Sequence, residues 1–210
     1  MPIPDSSLTF AERLERALAD LRAGRPVLVA DAHDREGEVD VVLAASEATP
    51  QWLGWMVRHT SGFICAPMPP ARADALGLPL MVAENLDPFR TAYTVSVDAA
   101  AGVTTGISAA DRSLTLRTLA APSSVPSDLI RPGHVLPLRA QAGGVAVRPG
   151  HTEATVELLQ LAGMEPVGVI AELVHDSGRM LTFEEGRELA AANGLQYLQI
   201  EELVDYLLTK

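Results

Sequence analysis

The stretch Pro26-Val27-Leu28-Val29-Ala30-Asp31 runs directly into Ala32-His33-Asp34-Arg35-Glu36-Gly37-Glu38-Val39-Asp40. The apolar half predicts a buried strand, and the polar half predicts a loop at its carboxyl end. From Asp31 to Asp40 the loop carries five carboxylates and one arginine. Crowded carboxylates repel one another, so a folded protein keeps them in water or around a cation. Carboxylate oxygens with few histidines suit Mg²⁺ or Mn²⁺ better than Zn²⁺. A solvated acidic loop and a metal site both remain open interpretations.

Helix and strand patterns alternate along the rest of the chain. Thr9 to Arg22 predicts a first helix, because Thr9 and Glu12 form a capping box before one apolar stripe, and Gly24 suits its end. Further helices are predicted at 49–58, 71–76, 108–120, 152–163, before 195 and up to 208, and strands at 41–45, 62–66, 93–97, 166–174 and 195–200. Such a mixture in one domain, residues 1–210, predicts an α/β or α+β fold.

Composition narrows the possible partners. The net charge is -11, and we find no cluster of lysines or arginines, so nucleic acid and anionic membranes are not expected partners. A small phosphorylated ligand remains possible, because two or three arginines suffice to bind it. One cysteine, Cys65, no signal-peptide pattern and no apolar run of roughly 18 residues lead us to expect a cytoplasmic protein.

A second polar segment, Arg148-Pro149-Gly150-His151-Thr152-Glu153, predicts an anion site. Gly150 allows close approach of the backbone to a ligand, and Thr152 is predicted to cap a helix. The free N–H groups of a helix N-terminus beside Arg148 favour phosphate. His151 could bind a metal through a neutral ring nitrogen. An ordinary helix cap with a partly exposed histidine is the alternative.

Two further residues are candidates for proton transfer. His134 lies in the segment Asp128 to Ala140, which we interpret as a loop in which His134 is partly buried. Glu172 lies inside the apolar strand at 166–174, where a carboxylate must be paired, protonated or bound. This predicts a raised pKa and a role in general acid or base catalysis. The alternatives are a structural histidine and an edge-strand glutamate that points to solvent.

Taken in this order, the motifs resemble the 3,4-dihydroxy-2-butanone 4-phosphate synthase family of riboflavin biosynthesis. The matching strings are Asp34-Arg35-Glu36, Arg58-His59-Thr60-Ser61-Gly62, Gly102-Val103-Thr104-Thr105-Gly106-Ile107-Ser108-Ala109-Ala110-Asp111-Arg112, Arg131 to Arg139, Gln141-Ala142-Gly143-Gly144-Val145 and Gly150-His151-Thr152-Glu153-Ala154. The resemblance as a whole covers roughly residues 10 to 206, and we expect no room for the cyclohydrolase-like second domain of some relatives.

The resemblance implies an α+β fold and a typical homodimer whose sites lie at the subunit interface. It implies a lyase that uses Mg²⁺ (or Mn²⁺) to convert D-ribulose 5-phosphate into L-3,4-dihydroxy-2-butanone 4-phosphate and formate. By the same resemblance, the metal ligands are Glu36 and His151, the substrate contacts are Arg35, Asp40, Thr105, Arg148, Thr152 and Glu172, and the catalytic residues are His134 and Glu172. From the residues themselves we add Gly150 to the substrate contacts, because it allows close approach of the backbone, and Glu38 to the catalytic residues, as an acidic-loop carboxylate that would move protons.

The chain departs from the family at the acidic loop, which usually reads Asp-Arg-Glu-Asn-Glu-Gly-Asp. Gly37 replaces the asparagine and Val39 replaces the glycine. A valine where the backbone needs positive φ would strain or shift the loop. Residues 83–90 also depart from the usual pattern. Two other functions therefore stay open: a paralogue that acts on another phosphorylated sugar, and a non-catalytic sugar-phosphate-binding subunit.

Overall fold

The computed structural model describes residues 8–209. Within this range, seven strands form one sheet: β1 (Val27–Ala30), β2 (Val39–Ala44), β3 (Cys65–Met68), β4 (Val97–Ala99), β5 (Leu129–Arg139), β6 (Gly168–Glu172) and β7 (Gln196–Gln199). The helices are α1 (Phe10–Arg22), α2 (Pro50–His59), α3 (Pro70–Ala75), α4 (Ala109–Ala120), α5 (His151–Leu161), α6 (Phe183–Asn193) and α7 (Ile200–Leu208).

The sheet is mixed, with the strand order β4-β5-β3-β6-β2-β1-β7. β1 pairs in parallel with β7, and β3 pairs in parallel with β5. The other neighbouring pairs are antiparallel. This mixed sheet with helices on both faces confirms the predicted α+β class.

Alternation along the strands divides the core into two layers. In β1, Val27 and Val29 face a cluster shared with α1, α5 and α7, whereas Leu28 and Ala30 face a cluster shared with α2, α3, α4 and α6. Asp40 lies on the same face of β2 as Val42, and α5 packs on that face. None of the described helices is long and apolar enough to cross a membrane.

Most predicted elements are present, and the prediction at Thr9 is confirmed in detail. The Thr9 side chain accepts a hydrogen bond from the Glu12 N–H, and the Glu12 side chain accepts one from the Thr9 N–H, which completes the capping box. Ser108 likewise caps α4. The predicted cap at Thr152 is wrong, because Gly150 is the N-cap and Thr152 is the second residue of α5.

One loop prediction and one strand prediction are wrong. Residues 128–140, interpreted as a loop, contain β5, which pairs with β3 and β4 although it holds two prolines and a glycine. Residues 93–97 alternate like a strand, but Tyr93 and Thr94 form only isolated bridges, and β4 begins at Val97. In both cases the pairing partner, which the local pattern does not reveal, decides the structure.

Candidate active site

A cavity of about 240 Å³ opens where the carboxyl ends of β1 and β6 meet the N-terminus of α5. Most of the predicted site residues line it: Arg35, Glu36, Glu38, Asp40, Arg148, His151, Thr152 and Glu172. Sequence reasoning missed several other lining residues: Cys65, Asp87, Phe89, Thr91 and Tyr93. The cavity therefore holds several carboxylates and two arginines, and Arg35 Nη1 donates to Glu36 Oε2 at 2.6 Å.

Asp31 organises the acidic loop. Its Oδ2 accepts hydrogen bonds from Arg35 Nη1 at 3.0 Å and from the Glu36 N–H at 3.1 Å, and its Oδ1 accepts one from the Glu38 N–H at 3.0 Å. Asp31 is only 2% exposed. Because both of its oxygens are occupied within the loop, Asp31 shapes the chain that presents Glu36 and Glu38 to the cavity.

The two ring nitrogens of His151 have different surroundings, and Nδ1 faces two carboxylates. Its Nε2 lies 3.1 Å from the carbonyl oxygen of Val29, which can only accept, so Nε2 carries a proton. Nδ1 lies 3.6 Å from Glu36 Oε2 and 3.7 Å from Asp40 Oδ1. A backbone carbonyl that fixes one nitrogen and leaves the other toward carboxylates is the usual support of a metal-binding histidine.

The same corner fits a divalent cation. Asp40 Oδ1 is buried and has no hydrogen-bond partner among residues 8–209. Ligand atoms of Asp31, Glu36 and His151 all lie within 4.8 Å of one another. Both oxygens of Asp31 accept hydrogen bonds within the loop, whereas Glu36 accepts one through Oε2 alone, from Arg35 Nη1 at 2.6 Å. We therefore consider Glu36 and His151 the better ligand pair, with the Asp40 oxygen that has no hydrogen bond beside them.

Burial and mutual repulsion perturb the acid groups of the cavity. Burial raises the pKa of Asp40 to about 8, and the carboxylates of Glu172 and Glu38 add to this effect. Burial and Glu172 also raise the pKa of Glu38 to about 7. Burial alone would lower the pKa of His151, but Asp40 and Glu36 outweigh it and raise that pKa to about 9. A bound cation would favour the deprotonated forms of all these groups.

Glu172 ends an interior strand. β6 lies between β3 and β2, which excludes the edge-strand alternative, and Glu172 pairs directly with Asp40 across the sheet. Ser61 Oγ donates a 2.5 Å hydrogen bond to Glu172 Oε2, and the Ser61 N–H donates to the Glu172 carbonyl oxygen. The Arg58–Gly62 motif thus holds the Glu172 carboxylate at the edge of the cavity.

Two guanidinium groups meet at the N-terminus of α5. No side chain among residues 8–209 caps this end at Gly150. A Cβ on Gly150 would lie 2.6 Å from Arg148 Nη1 and 2.9 Å from Arg35 Nη2. Gly150 therefore permits both arginines to lie against the open helix end. Free N–H groups, the helix dipole and two cations are features that together favour the binding of an anion.

Both arginines are held in place from several sides. Arg148 Nη1 donates to Glu153 Oε2 at 2.5 Å, and its Nε donates to the Phe89 carbonyl oxygen at 3.2 Å. The Arg35 guanidinium carbon lies 5.2 Å from the centre of the Phe89 ring, within range of a cation–π contact. Phe89 thus contacts both cations, and it lies in the segment 83–90 that departs from the family's usual pattern.

His134 and Thr105 do not line this cavity. The His134 side chain is 40% exposed, and the residue lies on β5, so only the interpretation of its segment as a loop is wrong. Thr105 is also exposed, in the loop before α4. One copy of the chain therefore assembles only part of the predicted set.

The family model for 3,4-dihydroxy-2-butanone 4-phosphate synthase matches residues 15–206. The chain belongs to this synthase family. Riboflavin biosynthesis protein RibBA of Salinispora arenicola (strain CNS-205) is 52% identical over 199 residues, which cover 95% of this chain and 47% of the relative. RibBA of Mycobacterium tuberculosis (strain ATCC 25177 / H37Ra) is 50% identical over 201 residues, which cover 95% of this chain and 47% of the relative. The chain spans about half the length of these curated relatives.

Solved structures give the same family. A 3,4-dihydroxy-2-butanone 4-phosphate synthase in complex with two magnesium ions matches with a TM-score of 0.90 and 47% identity, covering 92% of this chain and 95% of that one. The Candida albicans synthase matches with a TM-score of 0.86 and 45% identity, covering 92% and 96%. The resemblance and the fold that it implied are thus confirmed.

Within the synthase family, this chain accommodates its unusual acidic loop without strain at Val39. Val39 is the first residue of β2, fully buried, and is not among the described residues with positive φ. The positive φ, 69°, falls on Gly37 instead. A Cβ on Gly186 of α6 would lie 3.1 Å from Val39 Cγ2, so Gly186 leaves space for the valine. The expected strain is therefore absent.

Proposed function

We propose that this chain converts D-ribulose 5-phosphate into L-3,4-dihydroxy-2-butanone 4-phosphate and formate, as a step of riboflavin biosynthesis. The observation that carries the proposal is that one cavity joins an anion site at the N-terminus of α5 to a cluster of acids with raised pKa values. Membership of the synthase family supports the same reaction. The atoms of the sugar phosphate balance those of the two products, so no oxidant is needed.

The phosphate would bind at the open end of α5. Arg35 and Arg148 supply the charge, and the hydroxyl and N–H of Thr152 can donate to phosphate oxygens. Gly150 permits the close approach. Anchoring the phosphate there would place the remaining carbons along the cavity toward Glu172, which is the main contribution of these residues to rate.

Glu36 and His151 would hold Mg²⁺, or Mn²⁺, with Asp40 beside them or in contact with the sugar hydroxyls. The magnesium-bound relative supports this part of the proposal. When bound, the cation would polarise oxygen atoms of the sugar. The carbonyl of Val29 keeps His151 in the form that binds through Nδ1.

Proton transfer would fall to Glu38 and Glu172. A carbon acid next to a carbonyl must lose a proton to form an enediol, and the pKa of Glu38, about 7, suits exchange near neutral pH. Ser61 orients the Glu172 carboxylate by its hydrogen bond. Both groups line the cavity and can serve successive steps on the same bound sugar.

The remaining predicted residues lead us to include a homodimer in the proposal. His134 and Thr105 are exposed and lie outside the cavity of their own chain. Large apolar side chains near them are also exposed: Ile107 is 51% exposed and Ile130 is 50% exposed. A second copy that covers this surface would bring His134 and Thr105 to the partner's cavity. We also propose that residues 1–210 form a single domain and that the protein is cytoplasmic.

Formate release tests the reaction. Purified protein with ribulose 5-phosphate and Mg²⁺ should release formate, measured by a coupled formate dehydrogenase assay. Glu172→Gln should abolish release, whereas Glu201→Gln, at an exposed position in α7, should not. No formate from the wild type at saturating sugar and metal would refute the synthase assignment, and tight sugar binding without turnover would favour a binding subunit.

Mixing two inactive variants tests the shared site. His134→Ala and Glu172→Gln should each be inactive as homodimers. After subunit exchange, half of the dimers are mixed and each mixed dimer holds one intact site, so activity should return to about a quarter of the wild-type value. No recovery after verified exchange would contradict a site built from two chains.

A further inference from the structure

We propose that Asp98 is a positioning residue for His134, holding its imidazole so that Nε2 is the nitrogen free to exchange protons. Asp98 lies on β4, outside the cavity, and neither composition nor motif singled it out. This proposal deepens the proposed function and rests on it. It concerns a hydrogen-bonded pair at the surface that the proposed homodimer would use.

Both oxygens of Asp98 bind the same neighbour. Oδ2 lies 2.7 Å from His134 Nδ1, and Oδ1 accepts a hydrogen bond from the His134 N–H at 2.9 Å. An ionised carboxylate can only accept, so Nδ1 must carry the proton of the shorter bond. Nε2 then has no partner among residues 8–209, while the side chain that carries it is 40% exposed.

The two side chains differ in burial, as expected if Asp98 orients the ring and His134 exchanges the proton. Asp98 is only 8% exposed, whereas His134 is exposed. Two hydrogen bonds to one residue, one of them to its backbone, fix the carboxylate relative to the ring that it orients. A carboxylate of this kind selects the histidine tautomer and stabilises the charged ring that forms when Nε2 takes up a proton.

The surrounding backbone is built around the pair. A Cβ on Gly106 would lie 2.1 Å from Asp98 Oδ2 and 2.6 Å from His134 Nδ1, so only a glycine lets this loop pass over the pair. A Cβ on Gly133 would lie 2.0 Å from the carbonyl carbon of Val97. β4 and β5 therefore approach so closely that the relative position of Asp98 and His134 is fixed by the backbone.

Asp111 anchors the loop that contains Gly106. Its carboxylate accepts hydrogen bonds from the Thr104 N–H, the Thr104 hydroxyl and the Gly106 N–H at 3.1, 2.7 and 3.1 Å. The long motif from Gly102 to Arg112 thereby gains a physical explanation. Its glycine makes room for the Asp98–His134 pair, and its aspartate holds Thr105 next to that pair.

The test uses Asp98→Asn, which keeps the shape of the side chain and removes its charge. We expect kcat for formate release to fall by ~10²–10⁴-fold, the usual size of a general acid–base contribution. KM for ribulose 5-phosphate and the Kd for Mg²⁺ should stay within about threefold, because the cavity residues are untouched. Asp74→Asn is the matched control, since Asp74 pairs with Arg139 at the surface.

Nitrogen-15 NMR of the histidine rings gives a readout that does not depend on activity. His134, assigned by comparison with His134→Gln, should carry its proton on Nδ1 in the wild type, and Asp98→Asn should lose this preference. A wild-type His134 protonated on Nε2 would overturn the proposal, as would full kcat in Asp98→Asn. If the wild type releases no formate, the proposed function fails, while the spectra still decide the Asp98–His134 arrangement.

Discussion

Replacing Val39 with glycine, the residue usual at this place in the family's loop, should destabilise the protein and leave its activity no higher. Val39 is fully buried on β2, pairs with Ala30 of β1 and fills the space left by Gly186. It does not have the left-handed backbone that would make glycine the better residue. The substitution therefore removes packing contacts and relieves no backbone strain.

The magnitude follows from two contributions. Losing the burial of a valine side chain costs roughly 1.5–3 kcal/mol. Glycine within a strand costs roughly 0.5–1 kcal/mol more through backbone entropy. The free energy of unfolding should fall by about 2–4 kcal/mol. For a chain of this size, each kcal/mol shifts the melting temperature by roughly 2–4 °C, so the loss should be roughly 4–16 °C.

Urea and thermal unfolding, followed by circular dichroism, measure this loss, and formate release measures the activity. A double-mutant cycle isolates the contact. In Val39→Ala, a second change Gly186→Ala should stabilise α6 by about 1 kcal/mol, whereas in the wild type the new methyl group meets Val39 and this gain should shrink or reverse. A Val39→Gly variant of undiminished stability and raised kcat/KM would refute this reasoning.

Three further predictions concern the cavity. Gly150→Ala should raise KM for the sugar phosphate by about tenfold or more in steady-state kinetics, with little change in stability, because its Cβ would displace the flexible end of Arg148. Glu36→Gln should weaken Mg²⁺ binding by about tenfold or more in titration calorimetry, while phosphate still binds. Mg²⁺ affinity should rise from pH 6 to 8, because the raised pKa values of the ligand His151, about 9, and of Asp40 beside it, about 8, keep protons on these groups at low pH. Proton release on binding should be detectable in buffers of different ionisation enthalpy, and an affinity independent of pH would contradict this prediction.

Local chemistry made much of this fold predictable from sequence. The Thr9 capping box and the Ser108 cap set two helix starts correctly, because a cap depends on residues within one turn. β5 was missed since its two prolines and its glycine argue against a strand, and only pairing with β3 and β4 explains it. The Thr152 cap failed because Gly150 can also begin a helix with no side-chain contact.

The residues of the site were easier to predict from sequence than the contacts that hold them in place. Arg35, Glu36 and His151 stand in recognisable motifs and do meet in one cavity. The supporting contacts join residues that are distant in sequence, such as the hydrogen bond between His134 on β5 and Asp98 on β4. No periodicity or spacing marks such a pair. The inference of strain at Val39 failed because Val39 begins β2 with no positive φ, and the positive φ of 69° falls on Gly37.

The most direct test of the central claim is the product balance from ribulose 5-phosphate with Mg²⁺, followed by carbon-13 and phosphorus-31 NMR. We predict that formate and a four-carbon phosphate appear in equal amounts as the sugar phosphate disappears. Removal of the metal with EDTA should stop both, and added Mg²⁺ should restore them. A spectrum in which the sugar phosphate persists unchanged, or is converted without formate, would contradict the account.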